Sequence, residues 1–287
     1  MRLLLATDGG RHSEIVLEML GRLADRSRVE VHALTVDSFS FALDRAQEIG
    51  HYSAEAAAVD AQRVANETVT GLKDLGFTAD GEAVEGDEAT EILRVAAARG
   101  ADVIVVGSAK ERWVDTVVLG SVSSSVVHAS ERPVLVVHEA RAGDGPVKVL
   151  IAVDGSEGAE HATRAFAALA DPARCTVEVL SVAPVAPLPP GGPAGAVVDT
   201  PDVTDAEIGA ARAHADDGAG ILRDEGFDVS TRAVPGVPAR VILDTAEQGG
   251  HDLVVVGARG LGRFRAKVLG SVSDRVLRKA PASLIGR

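Results

Sequence analysis

The sequence repeats itself at the scale of a whole domain, and that repeat constrains the fold more than any other feature. Residues 2–8, Arg-Leu-Leu-Leu-Ala-Thr-Asp, return as residues 148–154, Lys-Val-Leu-Ile-Ala-Val-Asp, at an offset of 146. Leu34-Thr35-Val36 returns as Leu180-Ser181-Val182 at the same offset. Later matches sit at 150: Gly76-Phe77 with Gly226-Phe227, residues 101–107 with 251–257, and Gly120-Ser121-Val122-Ser123 with Gly270-Ser271-Val272-Ser273. Four residues are therefore gained in the second copy, and the proline- and glycine-rich loop 184–201 is the natural place for them. A repeat of about 145 residues is domain-sized and too long for a solenoid unit. The expected division is a first domain over 1–140, a second over 147–287, and a polar, glycine-bearing linker over 141–146.

Within each copy, short apolar runs alternate with helix-like segments. In the first copy strands are expected at 2–7, 29–36, 78–84, 102–106 and 133–138, with helices at 12–25, 53–75, 88–99 and 121–130. The second copy repeats the order, with strands at 148–153, 176–182, 228–234, 252–256 and 283–286 and helices at 158–170, 203–225, 238–248 and 271–280. Strands alternating with helices imply a parallel sheet covered on both faces. The expected fold is α/β: two tandem copies of a doubly wound, five-stranded, mostly parallel sheet of Rossmann-like type. In such sheets ligands bind beyond the carboxyl ends of the strands, near the point where strand order reverses.

That rule directs attention to three places per copy. Asp8 and Asp154 follow the first strand, and Val36 and Val182 end the second. Glycine loops follow the fourth: Gly257-Ala258-Arg259-Gly260 leads, nine residues later, to Gly270-Ser271 and a helix expected to carry a Ser N-cap. Strand, glycine loop and helix N-terminus together can hold phosphate, because the backbone approaches closely and free N–H groups point at an anion. The plainer reading is a tight turn whose glycines serve only backbone geometry. The two aspartates have a plain reading too, as N-caps of the helices that follow. Arg259 and Arg263 flank the second loop, either as added positive charge or as solvated side chains.

Composition removes several function classes. The 46% apolar content supports real cores, while the formal net charge of −13 argues against nucleic acid or an anionic membrane as principal partner. No apolar run reaches the roughly 18–20 residues of a membrane span, and a cytoplasmic protein is expected. A single cysteine, Cys175, excludes an intrachain disulfide and reads as a buried thiol. The histidines are scattered without metal-ligand spacing. Neither a Gly-x-Ser-x-Gly elbow nor a Gly-x-x-x-x-Gly-Lys-Ser/Thr loop occurs.

The spaced glycines together with the repeat resemble the universal stress protein family, in the form of two such domains in one chain. The family's pattern is Gly, two residues, Gly, nine residues, Gly, then Ser or Thr. Gly257, Gly260, Gly270 and Ser271 satisfy it in full, and the Asp-Gly starts at 8–9 and 154–155 look similar too. The resemblance implies ATP, accompanied by Mg or Mn, with the motif at ribose and phosphates and Asp154 and Val182 at the nucleoside. It implicates Asp154, Val182, Gly257, Gly260, Gly270, Ser271, Val272 and Ser273, with Val182 acting through its backbone.

The first copy departs from the pattern. Its weaker candidates are Asp8, Val36, Gly107, Lys110, Gly120 and Ser121, with Lys110 in place of the second glycine and Glu111-Arg112-Trp113 in place of Leu261-Gly262-Arg263. Either the lysine obstructs a site that needs positive φ or close backbone approach, or its ammonium reaches the phosphates as a point charge. The balance favours a weakened or lost first site. Family resemblance also implies pairing through the fifth strand, hence an internal pseudo-dimer and scope for a homodimer. At an offset of 150, Gly286 and Arg287 replace Val136 and Val137, so an asymmetric pairing, or a terminus covered by another subunit, is expected. Function is then expected to be nucleotide-dependent stress regulation rather than catalysis. The alternatives are a slow ATP hydrolase or phosphotransferase, and a structural module without nucleotide.

Overall fold

The computed structural model describes residues 1–38, 54–108, 119–139, 145–185, 204–260 and 269–287. Lys110, Glu111-Arg112-Trp113, Leu261-Gly262-Arg263, linker residues 141–144 and the 184–201 loop beyond Val185 lie outside the described residues.

The first half runs β1 (Arg2–Ala6), α1 (Arg11–Leu23), β2 (Glu30–Asp37), α2 (Ala54–Asp74), β3 (Thr78–Glu85), α3 (Glu88–Ala98), β4 (Val103–Gly107), α4 (Ser121–Ala129) and β5 (Val134–Val137). The second runs β6 (Val147–Val153), α5 (Glu157–Leu169), a 3-10 turn (Pro172–Arg174), β7 (Cys175–Pro184), α6 (Asp205–Asp224), β8 (Asp228–Gly236), α7 (Pro238–Gly249), β9 (Leu253–Gly257), α8 (Ser271–Lys279) and β10 (Ala282–Gly286). Among the described residues the strands form one ten-stranded sheet, ordered β3-β2-β1-β4-β5-β10-β9-β6-β7-β8. Every neighbouring pair is parallel except β5 with β10. Strand order reverses beside β1 in the first half and beside β6 in the second, which puts each first-strand aspartate at a switch point.

Period-two alternation splits the apolar residues between two cores. Leu3 and Leu5 face one core, built with α1, α2, α5 and α6; Leu4 faces the other, built with α3, α4, α7 and α8. Aliphatic side chains fill most of this volume, and Phe166 with Phe227, ring centroids 5.3 Å apart, supplies an aromatic contact. Cys175 is buried beside them, and burial, then the Asp171 charge, pushes its thiol up to about 12, so the thiolate is scarce at neutral pH. Among the described residues no helix is long and apolar enough to cross a membrane.

The junction between halves corrects the sequence expectation. Ile104 pairs with Val134, whereas its counterpart Val254 pairs with Ser283, so the last strands correspond at an offset of 149. The connection from helix to strand is one residue shorter in the second copy. Gly286 therefore stands for Val137, and Arg287 for His138. The antiparallel register is symmetric rather than asymmetric: Leu135 faces its own counterpart Leu284, flanked by Val136↔Ser283 and Val134↔Ile285. β10 is no weak edge, because it lies between β9 and β5 with all five residues buried. Its glycine has a packing reason. A Cβ on Gly286 would run into the backbone and side chain of Ala162 on α5.

Further contacts repeat this reciprocity. Asp25 N–H donates to the Leu169 carbonyl at 3.0 Å, and Asp171 N–H to the Leu23 carbonyl at 2.9 Å, around an isolated bridge between Ala24 and its counterpart Ala170. Each terminal strand also sends a side chain across. His138 Nε2 lies 2.8 Å from the Leu277 carbonyl in the last turn of α8, and Arg287 Nη2 donates to the Val127 and His128 carbonyls in the last turn of α4. Cationic or donor groups at a helix C-terminus satisfy carbonyls that have no intrahelical partner.

Candidate functional site

All eight second-half residues singled out from the sequence line one cleft of about 820 Å³ at the carboxyl ends of β6, β7 and β9. Asp154 stands directly after β6. It is not the N-cap of α5: Ser156 is, accepting from Ala159 N–H at 3.3 Å. Asp154 instead closes a turn two residues long. Its Oδ1 accepts from Ser156 N–H at 3.1 Å and from the Ser156 hydroxyl at 2.5 Å. Asp8 behaves alike, accepting from Gly10 N–H at 2.9 Å while Gly10 caps α1. A short acidic side chain bonds readily to backbone two residues on, and this outcompetes the longer reach to the helix.

With Oδ1 tied down, Asp154 presents Oδ2 to the glycine loop. A Cβ on Gly260 would collide with that oxygen. Gly260 does not have positive φ, so the close approach of the carboxylate, and not left-handed backbone, is what selects glycine there. Gly257 is excluded from carrying a side chain by α5, whose Ala159 N and Gly158 C would lie 2.6 and 2.7 Å from a Cβ. The loop is thus pressed onto the first turn of α5, and the Ser156 hydroxyl also lies 3.3 Å from the Arg259 carbonyl.

Helix α8 opens into the cleft. Its N-cap is Gly270, not the expected Ser271, and no side chain caps it. Ser271 is already the first helical residue, and Ser273 turns inward so that its hydroxyl donates to the Gly257 carbonyl at 2.6 Å. Ser271, Val272 and Ser273 line the cleft from the first turn of α8, where backbone N–H groups have no intrahelical partner. Val182 forms the opposite wall near the end of β7, paired with Val234.

The sequence reading missed the wall made by α6. Glu207, Ala210, Ala211 and His214 line the cleft from it, and Pro238 and Ile242 from α7. The signal was present: positions 207, 210, 211 and 214 follow the i, i+3, i+4, i+7 spacing of one helix face, with alanines between two polar ends. Thr204 and Glu207 form a capping box, and Thr204's backbone N–H and hydroxyl hold the Glu207 carboxyl below the usual range.

In the first half, Asp8 follows β1, Val36 pairs with Val84 near the end of β2, and Gly107 ends β4. Gly120 caps α4 without a side-chain bond, Ser121 begins it, and Ser123 donates to the Gly107 carbonyl at 2.9 Å. The frame of the second cleft is therefore repeated, while its lining is not. Among the described residues, no group of three or more His, Cys, Asp or Glu side chains is arranged to hold a metal ion.

The profile of the Universal stress protein family matches residues 1–138 and again 147–285. A universal stress protein of Mycolicibacterium smegmatis is 32% identical over 187 residues, 64% of this chain and 60% of that protein's own length. Among solved structures, a universal stress protein from Archaeoglobus fulgidus superposes over 100% of this chain and 98% of its own, with a TM-score of 0.71 at 22% identity. A putative universal stress protein from Pseudomonas aeruginosa covers 99% of this chain and 91% of its own, with a TM-score of 0.61 at 18% identity. Two matches end to end, on the sequence repeat and on the doubled sheet, place the chain in the universal stress protein family as a tandem member.

Proposed function

We propose that the second-half cleft holds ATP or a closely related adenine nucleotide, and that the protein acts as a nucleotide-dependent regulatory switch. One observation carries this reading: Asp154, the glycine loop and the uncapped start of α8 converge on a single cleft with Val182 opposite. An uncapped helix start and glycines without side chains suit the phosphates, and a mostly apolar wall from Val182, Ala183 and Pro184 suits a nucleobase. A divalent cation fits as a companion of the phosphates rather than as a resident. Asp154 offers one free carboxylate oxygen, and Mg or Mn takes its remaining ligands from phosphate and water. The two halves take the place of a dimer within one chain, joined by the reciprocal bonds at β5–β10 and at Ala24–Ala170.

The switch reading is preferred over catalysis because the Asp154 carboxylate is already bonded through Oδ1 to its own turn, and such a group orients a ligand better than it moves a proton. Mass spectrometry of small molecules released from the purified protein is expected to yield an adenine nucleotide at about one per chain. In single-turnover assays, wild type and Asp154→Ala are expected to hydrolyse ATP equally slowly. Turnover on the minute scale that depends on Asp154 would instead establish an ATPase.

A further inference from the structure

Ser181 lines the second cleft near the end of β7. It pairs in register with Val153, the residue before Asp154, on one side and with Ala233 on the other. Side chains along a strand alternate between faces, so Ser181 shares a face with Val177 and Val179, which pack in the core that α6 helps to build. At the third position of this apolar row a hydroxyl takes the place of an aliphatic side chain. Further from the strand ends α6 presses close: a Cβ on Gly218 would lie 3.2 Å from Val153 and 3.4 Å from Val179. Toward the strand ends α6 contributes Ala211, and there the cleft reaches in as far as Ser181.

Ser181 is 1% exposed, yet its hydroxyl forms no hydrogen bond among the described residues. Other buried hydroxyls of this half are engaged: Thr163 donates to the Ala159 carbonyl at 2.8 Å, and Ser273 to the Gly257 carbonyl at 2.6 Å. Thr35, the counterpart of Ser181 in the first half, has a hydroxyl oxygen shut off from solvent without a partner. The Ser181 oxygen is not so enclosed, and the cleft is the space that it meets. A buried hydroxyl without a partner carries a desolvation penalty, and a polar ligand group in the cleft would supply the missing bond.

Strand order fixes which part of a ligand that is. The start of α8 is tied to the end of β9 by the Ser273 bond to Gly257. β7 lies two strands from β9, roughly 10 Å at the usual strand spacing, with β6 and Asp154 between them. A nucleotide whose phosphates meet α8 therefore brings its nucleoside over β7. We propose that the Ser181 hydroxyl hydrogen-bonds the nucleoside moiety of the bound nucleotide and anchors it in the cleft. The inference rests on the nucleotide reading of this cleft and adds a ligand-contacting residue to it. A hydroxyl both donates and accepts and rotates to suit its partner, so the contact holds the nucleoside without choosing between amino and keto bases. Its weight is that of one neutral hydrogen bond, about fivefold in affinity.

The test is calorimetric titration of the full chain with ATP, adenosine and inorganic triphosphate, for wild type, Ser181→Ala and Ser181→Thr, beside thermal melts without ligand. Thr35 shows that this strand position accepts threonine, which keeps the hydroxyl. Ser181→Ala is expected to lose about fivefold in affinity for ATP and for adenosine alike, with triphosphate unaffected. Ser181→Thr is expected to bind close to wild type. The melting temperature of Ser181→Ala is expected to hold or rise, because the hydroxyl it removes has no partner in the fold. Undiminished binding of ATP and adenosine by Ser181→Ala would overturn the role of Ser181 and leave the nucleotide reading standing. So would a loss that threonine does not restore and that comes with a lowered melting temperature, which marks a packing role. Failure of wild type to bind ATP or adenosine would overturn both, and is told apart by that wild-type result alone.

Discussion

The two halves share a frame and differ in lining. Among the described residues, the ionisable side chains that line the second cleft are Asp154, Glu207, His214 and Arg259. Carried to the first half through the repeat, Glu207 becomes Ala57 and His214 becomes Val64. The changes elsewhere run the other way: Ala183 becomes Asp37, Ala210 becomes Asp60, and Pro238 becomes Glu88. Glu88 accepts from the Ser38 hydroxyl at 2.8 Å, tying together the two positions held by proline in the second half. Among the described residues, the positions that correspond to this lining therefore carry added carboxylates in one copy, where the other has a mixed set that includes Arg259 and His214. On the nucleotide reading proposed above, a polyphosphate suits the second set better than the first. Backbone geometry makes a cleft of this kind available, and a few side chains decide whether an anion belongs in it.

The comparison breaks most sharply at Gly260, where the first half has Lys110. In Gly260→Lys the new Cβ must displace the Asp154 carboxylate, which the Ser156 turn holds on its other side. The fold survives this, because the collision is with the end of a side chain and not with backbone. The predicted outcome is a loss of ATP affinity of about 100-fold, roughly 2.7 kcal/mol, with the melting temperature almost unchanged. Titration calorimetry beside a thermal melt reads both. A variant that binds as wild type does would show that the glycine pattern serves the turn alone.

The junction offers the next largest effect. Val137 in β5 and Gly286 in β10 occupy corresponding places, yet α5 lies against the second so closely that a side chain meets Ala162. Gly286→Val is expected to destabilise by about 3 kcal/mol through overpacking, which for a chain of this size lowers the melting temperature by roughly 6–10 °C. Val137→Gly removes a fully buried side chain without a collision and is expected to cost about 2 kcal/mol. Chemical denaturation of the two variants orders them. Equal tolerance of valine at both positions would mean that α5 moves freely over β10.

These sites also mark how far the sequence could be read. The repeat, the alternation and the Asp154–Gly260–Ser271 pattern are legible because they depend on local spacing and on chemistry that tolerates few residue types. Three things were not. The Ser N-cap expectation failed by one residue because Gly270 and Ser271 both suit a helix start, and the choice falls to Ser273 reaching Gly257. The last strand was misaligned because a one-residue deletion in a short connection leaves no trace in composition. Its glycine read as a weak strand residue, whereas its cause is a helix crossing from elsewhere in the chain. The α6 wall went unseen because Ala210 and Ala211 look like ordinary helix formers until the neighbouring strand ends show which face is turned inward.

The smallest predicted effect lies at the outer strands. His32 on β2 is held between Asp80, 2.8 Å from Nδ1, and Glu82, 3.2 Å from Nε2, while Arg99 bonds Glu82 at 2.9 Å. The second half rearranges these types: Glu178 stands for His32, Arg232 for Glu82, and His251 approaches Glu178 at 3.4 Å. Burial pulls the Glu82 carboxyl upward, but the Arg99 bond and charge, with His32 behind them, outweigh it and hold the group below the usual carboxylate value. A carboxylate depressed in the folded state stabilises above its unfolded value near pH 4.3, and that contribution fades as pH falls through the folded value. Glu82 is 39% exposed, so solvent screening limits the gain to about 0.5 kcal/mol. Glu82→Gln should therefore lower stability slightly at pH 7, and the gap to wild type should close as pH drops below about 4. Urea denaturation at pH 7 and near pH 3 measures it. A gap that persists undiminished at the acid end would assign Glu82 a packing role, and the rearranged cluster in the second half would then differ from the first in shape rather than in charge.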